Sequence, residues 1–113
     1  MATARKFILL ISLIAGLLNV PIWLLVIWYV PRDLVVLILH YNIYLGPDVF
    51  GSWYELFVLP GIGLAVVGFN LALGFWMLRR ELFLAKLIAA MSVPAQLVLG
   101  SALWLILSIN RLV

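Results

Sequence analysis

Residues 7–31 read FILLISLIAGLLNVPIWLLVIWYVP, twenty-five consecutive positions without an Asp, Glu, Lys or Arg. A bilayer core about 30 Å thick is crossed by about 20 apolar helical residues, so this stretch is long enough to span. Two more follow: Leu56–Leu78 and Leu87–Asn110 are also free of charged residues. The reading is an all-α integral membrane protein. It has a single membrane domain over residues 1–113 and three transmembrane helices at 7–30, 56–78 and 83–109. An outer loop at 31–55 joins the first two.

Composition agrees with that reading. Hydrophobic residues make up 68% of the chain and charged residues 10%, where a soluble domain is near half apolar and a quarter charged. A soluble chain of this size leaves much of its surface in water and could not hide so much apolar area, so the bilayer is the expected solvent. The net charge of +3 sits at helix ends rather than in one patch, which gives no footprint for nucleic acid. With no Cys there is no disulfide or thiolate chemistry. Residues 7–30 are too long for the apolar region of a signal peptide, and no small-residue cleavage site follows. They read as a retained first span. Trp23, Trp28 and Tyr29 cluster toward its second end, as in an aromatic interface belt.

Orientation follows from Lys and Arg. Arg5, Lys6, Arg79, Arg80 and Lys86 fall on one side if all three spans cross; Arg32 and Arg111 fall on the other, with Asp33, Asp48 and Glu55. This predicts a multi-pass protein of the cell membrane, N-terminus cytoplasmic and C-terminus extracytoplasmic. The short Arg79-Arg80-Glu81 junction makes spans two and three an antiparallel helical hairpin.

Span two carries small residues on two faces. Gly61, Ala65, Gly68 and Ala72 step by four, three and four and so form one stripe. Gly63, Val67, Asn70 and Gly74 repeat the step on the opposite face. Small residues let helices approach closely in lipid, so the pattern reads either as ordinary membrane-helix composition or as a span two set between two neighbours, one internal and one from a second subunit. Each span also holds a mid-membrane amide: Asn19, Asn70 and Gln96. Asn19 shares a stripe with Ser12, Ala15 and Gly16, and Gln96 with Ala85, Ala89 and Ser92. Such amides pair with one another or with carbonyls across helices. Pro21 and Pro94 free the carbonyls of Leu17 and Ala90 nearby. Structural glue is the expected role, with a polar pathway as the alternative. No acid, His or Arg lies mid-membrane, which argues against a proton relay or voltage sensor.

The loop opens with Leu34–Leu45, apolar but too short to span as a helix and rich in strand-forming Val, Ile and Tyr. Leu37, Leu39, Tyr41 and Ile43 alternate with His40, Asn42 and Tyr44. Gly46-Pro47-Asp48 reads as a turn, with Val49–Tyr54 returning. The loop is therefore expected to be a strand-like β-hairpin, pairing within the chain or with a neighbouring subunit. His40, Asn42, Tyr44, Asp48, Trp53 and Glu55 are its candidate interaction residues. One His with scattered carboxylates falls short of the three or four ligands of a zinc site. No phosphate loop, nucleophile elbow or Cys/His cluster is present, so no catalytic residue, metal or cofactor is expected.

The segment His40-Tyr41-Asn42-Ile43-Tyr44-Leu45-Gly46-Pro47-Asp48, followed by Leu59-Pro60, resembles the outer turn of a family of small bacterial polytopic membrane proteins. That family includes immunity proteins protecting bacilli from their own secreted toxin. Its members show a His-aromatic-Asn after the first span, then Gly and Pro-Asp, then Leu-Pro opening the next helix. Gly46 stands one place late here, and the Lys usual after the Asp is absent. The resemblance covers about a fifth of the chain and implies a bacterial inner-membrane location and this topology. It implies no biochemical activity.

The function expected from these features is that of a non-catalytic, oligomer-forming structural or accessory membrane subunit with the loop as interaction element. Its partners would be lipid and either further copies or another membrane protein. A small homo-oligomeric channel or transporter, and a toxin-immunity or sensing protein, are the alternatives.

Overall fold

Three helices long and apolar enough to cross a membrane dominate the computed structural model, which describes residues 2–32, 37–42 and 46–112. For residues 37, 39–42 and 46–50 the description is of backbone only. Helix α1 runs Ala2–Tyr29, starting five residues before the expected span. Hydropathy marks where the apolar stretch begins, whereas the helix continues through Ala2–Lys6, none of which interrupts it. The loop follows, with strands β1 (Leu37–Asn42) and β2 (Gly46–Gly51). A 3₁₀ turn at Trp53–Phe57 leads into α2, Val58–Met77. The third span is two pieces, α3 (Leu82–Ala90) and α4 (Ser92–Ile109), parted at Met91.

The break at Met91 has a local cause. Pro94 has no N–H to offer the Ala90 carbonyl, and its ring crowds that turn. The helix resumes at once, since Met91 N–H still reaches the Leu87 carbonyl at 3.0 Å and Ala95 N–H the Met91 carbonyl at 3.3 Å. Pro21 lies inside α1, which stays one helix. Between α2 and α3 the chain turns on Met77, whose carbonyl takes the N–H groups of Arg80 and Glu81, both at 2.9 Å.

Both β-strands pair antiparallel, from Leu37↔Gly51 to Asn42↔Gly46, with register shifts on either side of His40. Gly46-Pro47-Asp48, read from sequence as the turn, instead forms the first half of β2, and Trp53–Tyr54 belongs to the 3₁₀ turn rather than to a returning strand. Proline is admitted to strands at edges and bulges, and Pro47 stands opposite Tyr41, where the register slips. Asp33, Ile43 and Tyr44 lie outside the described residues.

Packing falls into layers along the bundle. At the end carrying Arg5, Arg79 and Arg80, the buried cluster is Ala4, Ile8, Leu78, Ala85 and Ala89. At the hairpin end it is Ile22, Val26, Val30, Leu56, Leu103 and Leu107. Between them the buried side chains turn polar or small: Ser12, Ala15, Asn19, Gly63, Ser92 and Gln96. The outside is greasy, with Leu13, Leu17, Phe69, Phe83 and Val98 all well exposed. Such a surface is not sustained in water and is ordinary against lipid tails. Because lipid is as apolar as the core, the bundle is held by close packing and hydrogen bonds rather than by apolar burial.

Candidate functional site

Small residues decide where the three spans touch. A Cβ built on Gly63 would lie 2.4 Å from Gln96 Oε1 and 2.5 Å from Asn19 Nδ2. Only glycine leaves room there for the two amides. Asn19 sits on the buried stripe of α1 and Gln96 on that of α4, so α2 presents bare backbone to both.

The amides use that space fully. Asn19 Nδ2 donates to Gln96 Oε1 at 2.9 Å and to the Pro60 carbonyl at 3.1 Å. Gln96 Nε2 donates to the Gly63 carbonyl at 2.9 Å. Trp23, one turn along α1, donates its indole N–H to Asn19 Oδ1 at 2.7 Å. One node thus ties all three spans together, with both amides 2% exposed. A low-dielectric surrounding strengthens satisfied hydrogen bonds and penalises unmade ones, so the node works as a lock on helix register.

Of the three amides singled out from sequence, Asn19 and Gln96 meet and Asn70 does not join them. It lies two turns from Gly63 on the same face of α2, half-buried. The small residues divide as well. Gly63 and Gly74 face inward, and a Cβ on Gly74 would come 3.3 Å from the Ala85 carbonyl. Ala65, Gly68 and Ala72 are exposed, and nothing lies within 4 Å of a Cβ at Gly61 or Gly68.

In the loop, His40 and Asn42 stand on β1 and Asp48 on β2; their side chains, and all of Tyr44, lie outside the described residues. Trp53 is half-buried and packs on the hairpin-end core, while Glu55 is exposed. A tier of aromatic rings connects this end to the amide node. Trp23 lies 5.9 Å from Phe57, Phe57 lies 6.2 Å from Trp53, and the Arg32 guanidinium stands 5.8 Å over Trp53.

Asn110 is a residue that sequence reasoning passed over. Its Oδ1 accepts the Ile38 N–H at 2.8 Å, and its Nδ2 donates to the Ile38 carbonyl at 2.7 Å and the Ile106 carbonyl at 2.8 Å. The side-chain amide therefore acts as one residue of a third strand on β1 and satisfies an edge that would otherwise stay open. The end of α4 holds it in place. Leu112 N–H reaches back to the Leu107 carbonyl at 2.8 Å and Arg111 N–H to Ser108 at 3.1 Å, with Arg111 left-handed at φ 58°. That motif usually takes glycine at the left-handed position. An Asn at a helix end is a common cap residue, so nothing in the linear pattern signals a contact 72 positions away. Asn110→Ala is expected to leave the helices intact and to speed amide exchange at Ile38 at least tenfold. Unchanged exchange would show the loop to be anchored otherwise.

A groove of about 570 Å³ opens to the lipid side between α1 and α4, against Pro21, Ile22, Gly100 and Trp104. Of its polar side chains, Gln96 and Ser101 are already hydrogen-bonded, and apart from the Trp104 indole the rest of its lining is apolar. It therefore offers little to a polar ligand. Among the described residues no group of three His, Asp or Glu side chains could hold a metal ion. In comparisons with known proteins, no family model, no curated protein and no solved structure matches this chain.

Proposed function

We propose that the chain is a non-catalytic membrane subunit that builds assemblies through the outward stripe of α2, with the hairpin as a second contact element. The observation that carries this reading is the division of the small residues. Gly63 and Gly74 are consumed inside the bundle, whereas Ala65, Gly68 and Ala72 are exposed, and among the described residues no neighbouring element comes within 4 Å of a Cβ at Gly61 or Gly68. Small-residue stripes are where membrane helices approach most closely. The amide node supports the same reading. Asn19 and Gln96 spend their hydrogen bonds on the chain's own helices, as glue does. In this reading the basic end faces the cytoplasm, following the positive-inside rule, in the cell membrane of a bacterium.

The chain has no Cys, so single cysteines report contacts cleanly. Gly68→Cys and Ala72→Cys are expected to form crosslinked dimers in native membranes, and Leu97→Cys, on the far side, is not. Gly68→Leu should shift native mass spectra toward monomer while the fold survives. A monomer in every mild detergent, with no crosslink and no co-purifying partner, would overturn the proposal.

A further inference from the structure

Beneath the amide node lies a second polar level, where two buried hydroxyls have no hydrogen-bond partner among the described residues. Ile8, Gly74 and Ala89 meet at one height, since a Cβ on Gly74 would lie 3.6 Å from Ile8 Cγ2 and 3.7 Å from Ala89 Cβ. One turn further toward the hairpin end come Ser12 on α1, Ser92 on α4 and Asn70 on the antiparallel α2. The next contact above is Asn19, Gly63 and Gln96. By the rise of a helix, Ser12 and Asn70 stand two turns, about 10 Å, below that contact and Ser92 one turn, about 6 Å, so the three lie within about a turn of one another along the bundle.

The two hydroxyls are the unusual members. Ser12 is 6% exposed and Ser92 0%, and neither Oγ has a hydrogen-bond partner among the described residues. The chain's lipid-facing serines behave differently. Ser101 and Ser108 turn back onto the carbonyls of Leu97 and Trp104, both at 2.8 Å. Lipid offers no alternative there, so the helix supplies one. Ser12 and Ser92 have the same option and leave it unused. An unmade hydrogen bond is costly away from water, so free hydroxyls at this depth point to an acceptor and donor beyond the chain itself. Asn70, on the inward face that carries Gly63 and Gly74, adds an amide to the same level.

We propose that Ser12, Asn70 and Ser92 bind water inside the bundle. Two hydroxyls and an amide supply the two to four polar partners a buried water requires. No charge stands at this level, so the site suits a neutral molecule of water's size rather than an ion. The amide node and the packed cluster of Ile22, Val26, Leu103 and Leu107 lie between this level and the hairpin end, so the bound water is a joint between helices and not part of a through path. The inference is independent of how many copies assemble.

Water-to-protein magnetisation transfer by solid-state NMR, on the full chain in lipid bilayers, tests it directly. Transfer is expected at Ser12, Asn70 and Ser92, above the level at Ala15 and Ser101. In the S12A/S92A variant the Asn70 signal should fall at least severalfold and the unfolding midpoint should drop. S101A, whose hydroxyl is spent on its own helix, serves as the control for the substitution itself. If the three residues show no more transfer than Ala15, the proposal fails. It fails equally if S12A/S92A unfolds at the same or a higher temperature than the parent, because deleting hydroxyls that hold nothing relieves a penalty.

Discussion

Gly63→Ala is expected to destabilise this protein far more than the same change at any outward glycine of α2. The added methyl would overlap Gln96 Oε1 and Asn19 Nδ2 at 2.4 and 2.5 Å. Both are side-chain ends, so they would move, but each move breaks hydrogen bonds. Gln96 would have to leave the Gly63 carbonyl, and Asn19 the Pro60 carbonyl and Gln96 itself. Overpacking alone costs about 1–3 kcal/mol, and each buried polar group left unpaired adds about 1–3 kcal/mol. At Gly74 the obstacle is one backbone carbonyl at 3.3 Å, and a smaller loss follows. At Gly61 and Gly68 no atom lies within 4 Å, so alanine should leave the unfolding midpoint nearly unchanged. The measurement is thermal or denaturant unfolding in mild detergent, with helix content as the readout. Equal midpoints for Gly63→Ala and Gly68→Ala would mean that the spans do not meet where the amides cross.

The second large effect concerns the amide pair. Gln96→Leu removes the acceptor of Asn19 and leaves that amide buried with one partner fewer. Interhelical hydrogen bonds in membranes average about 0.6 kcal/mol in mutant cycles, whereas orphaning a buried polar group costs about 1–3 kcal/mol. The larger figure applies here, because Asn19 is 2% exposed and held between three helices. Asn19→Leu likewise strands the Trp23 indole N–H. The double variant should therefore lose less than the sum of the two singles, with a coupling of about 1 kcal/mol or more. Additive losses in the same unfolding assay would show that the amides act separately.

Much of this architecture is legible without coordinates. Three uncharged apolar stretches suffice to call for spanning helices, because bilayer thickness and helix rise leave no other backbone solution for them. The spacing of Gly61, Gly63, Gly68 and Gly74 already separates two faces of α2, since helical period is a property of the chain itself. The extent of α1, the break at Met91 and the placing of Gly46-Pro47-Asp48 within β2 are less accessible. Each depends on where hydrogen bonds end, and hydropathy carries no record of that.

What the sequence alone determines is thus the solvent of this protein, the number of its spans, and the presence of one amide per span. Which amides meet is decided only by the tertiary structure. Asn19 and Gln96 are 77 positions apart and join because Gly63 lets two helices close on bare backbone. Asn70 has the same chemistry and periodicity but falls at another height. Asn110 finds Ile38 only because the end of α4 comes to rest beside β1. Height along the bundle and closeness across it arise from packing three helices together, and neither is written in the order of residues along one of them.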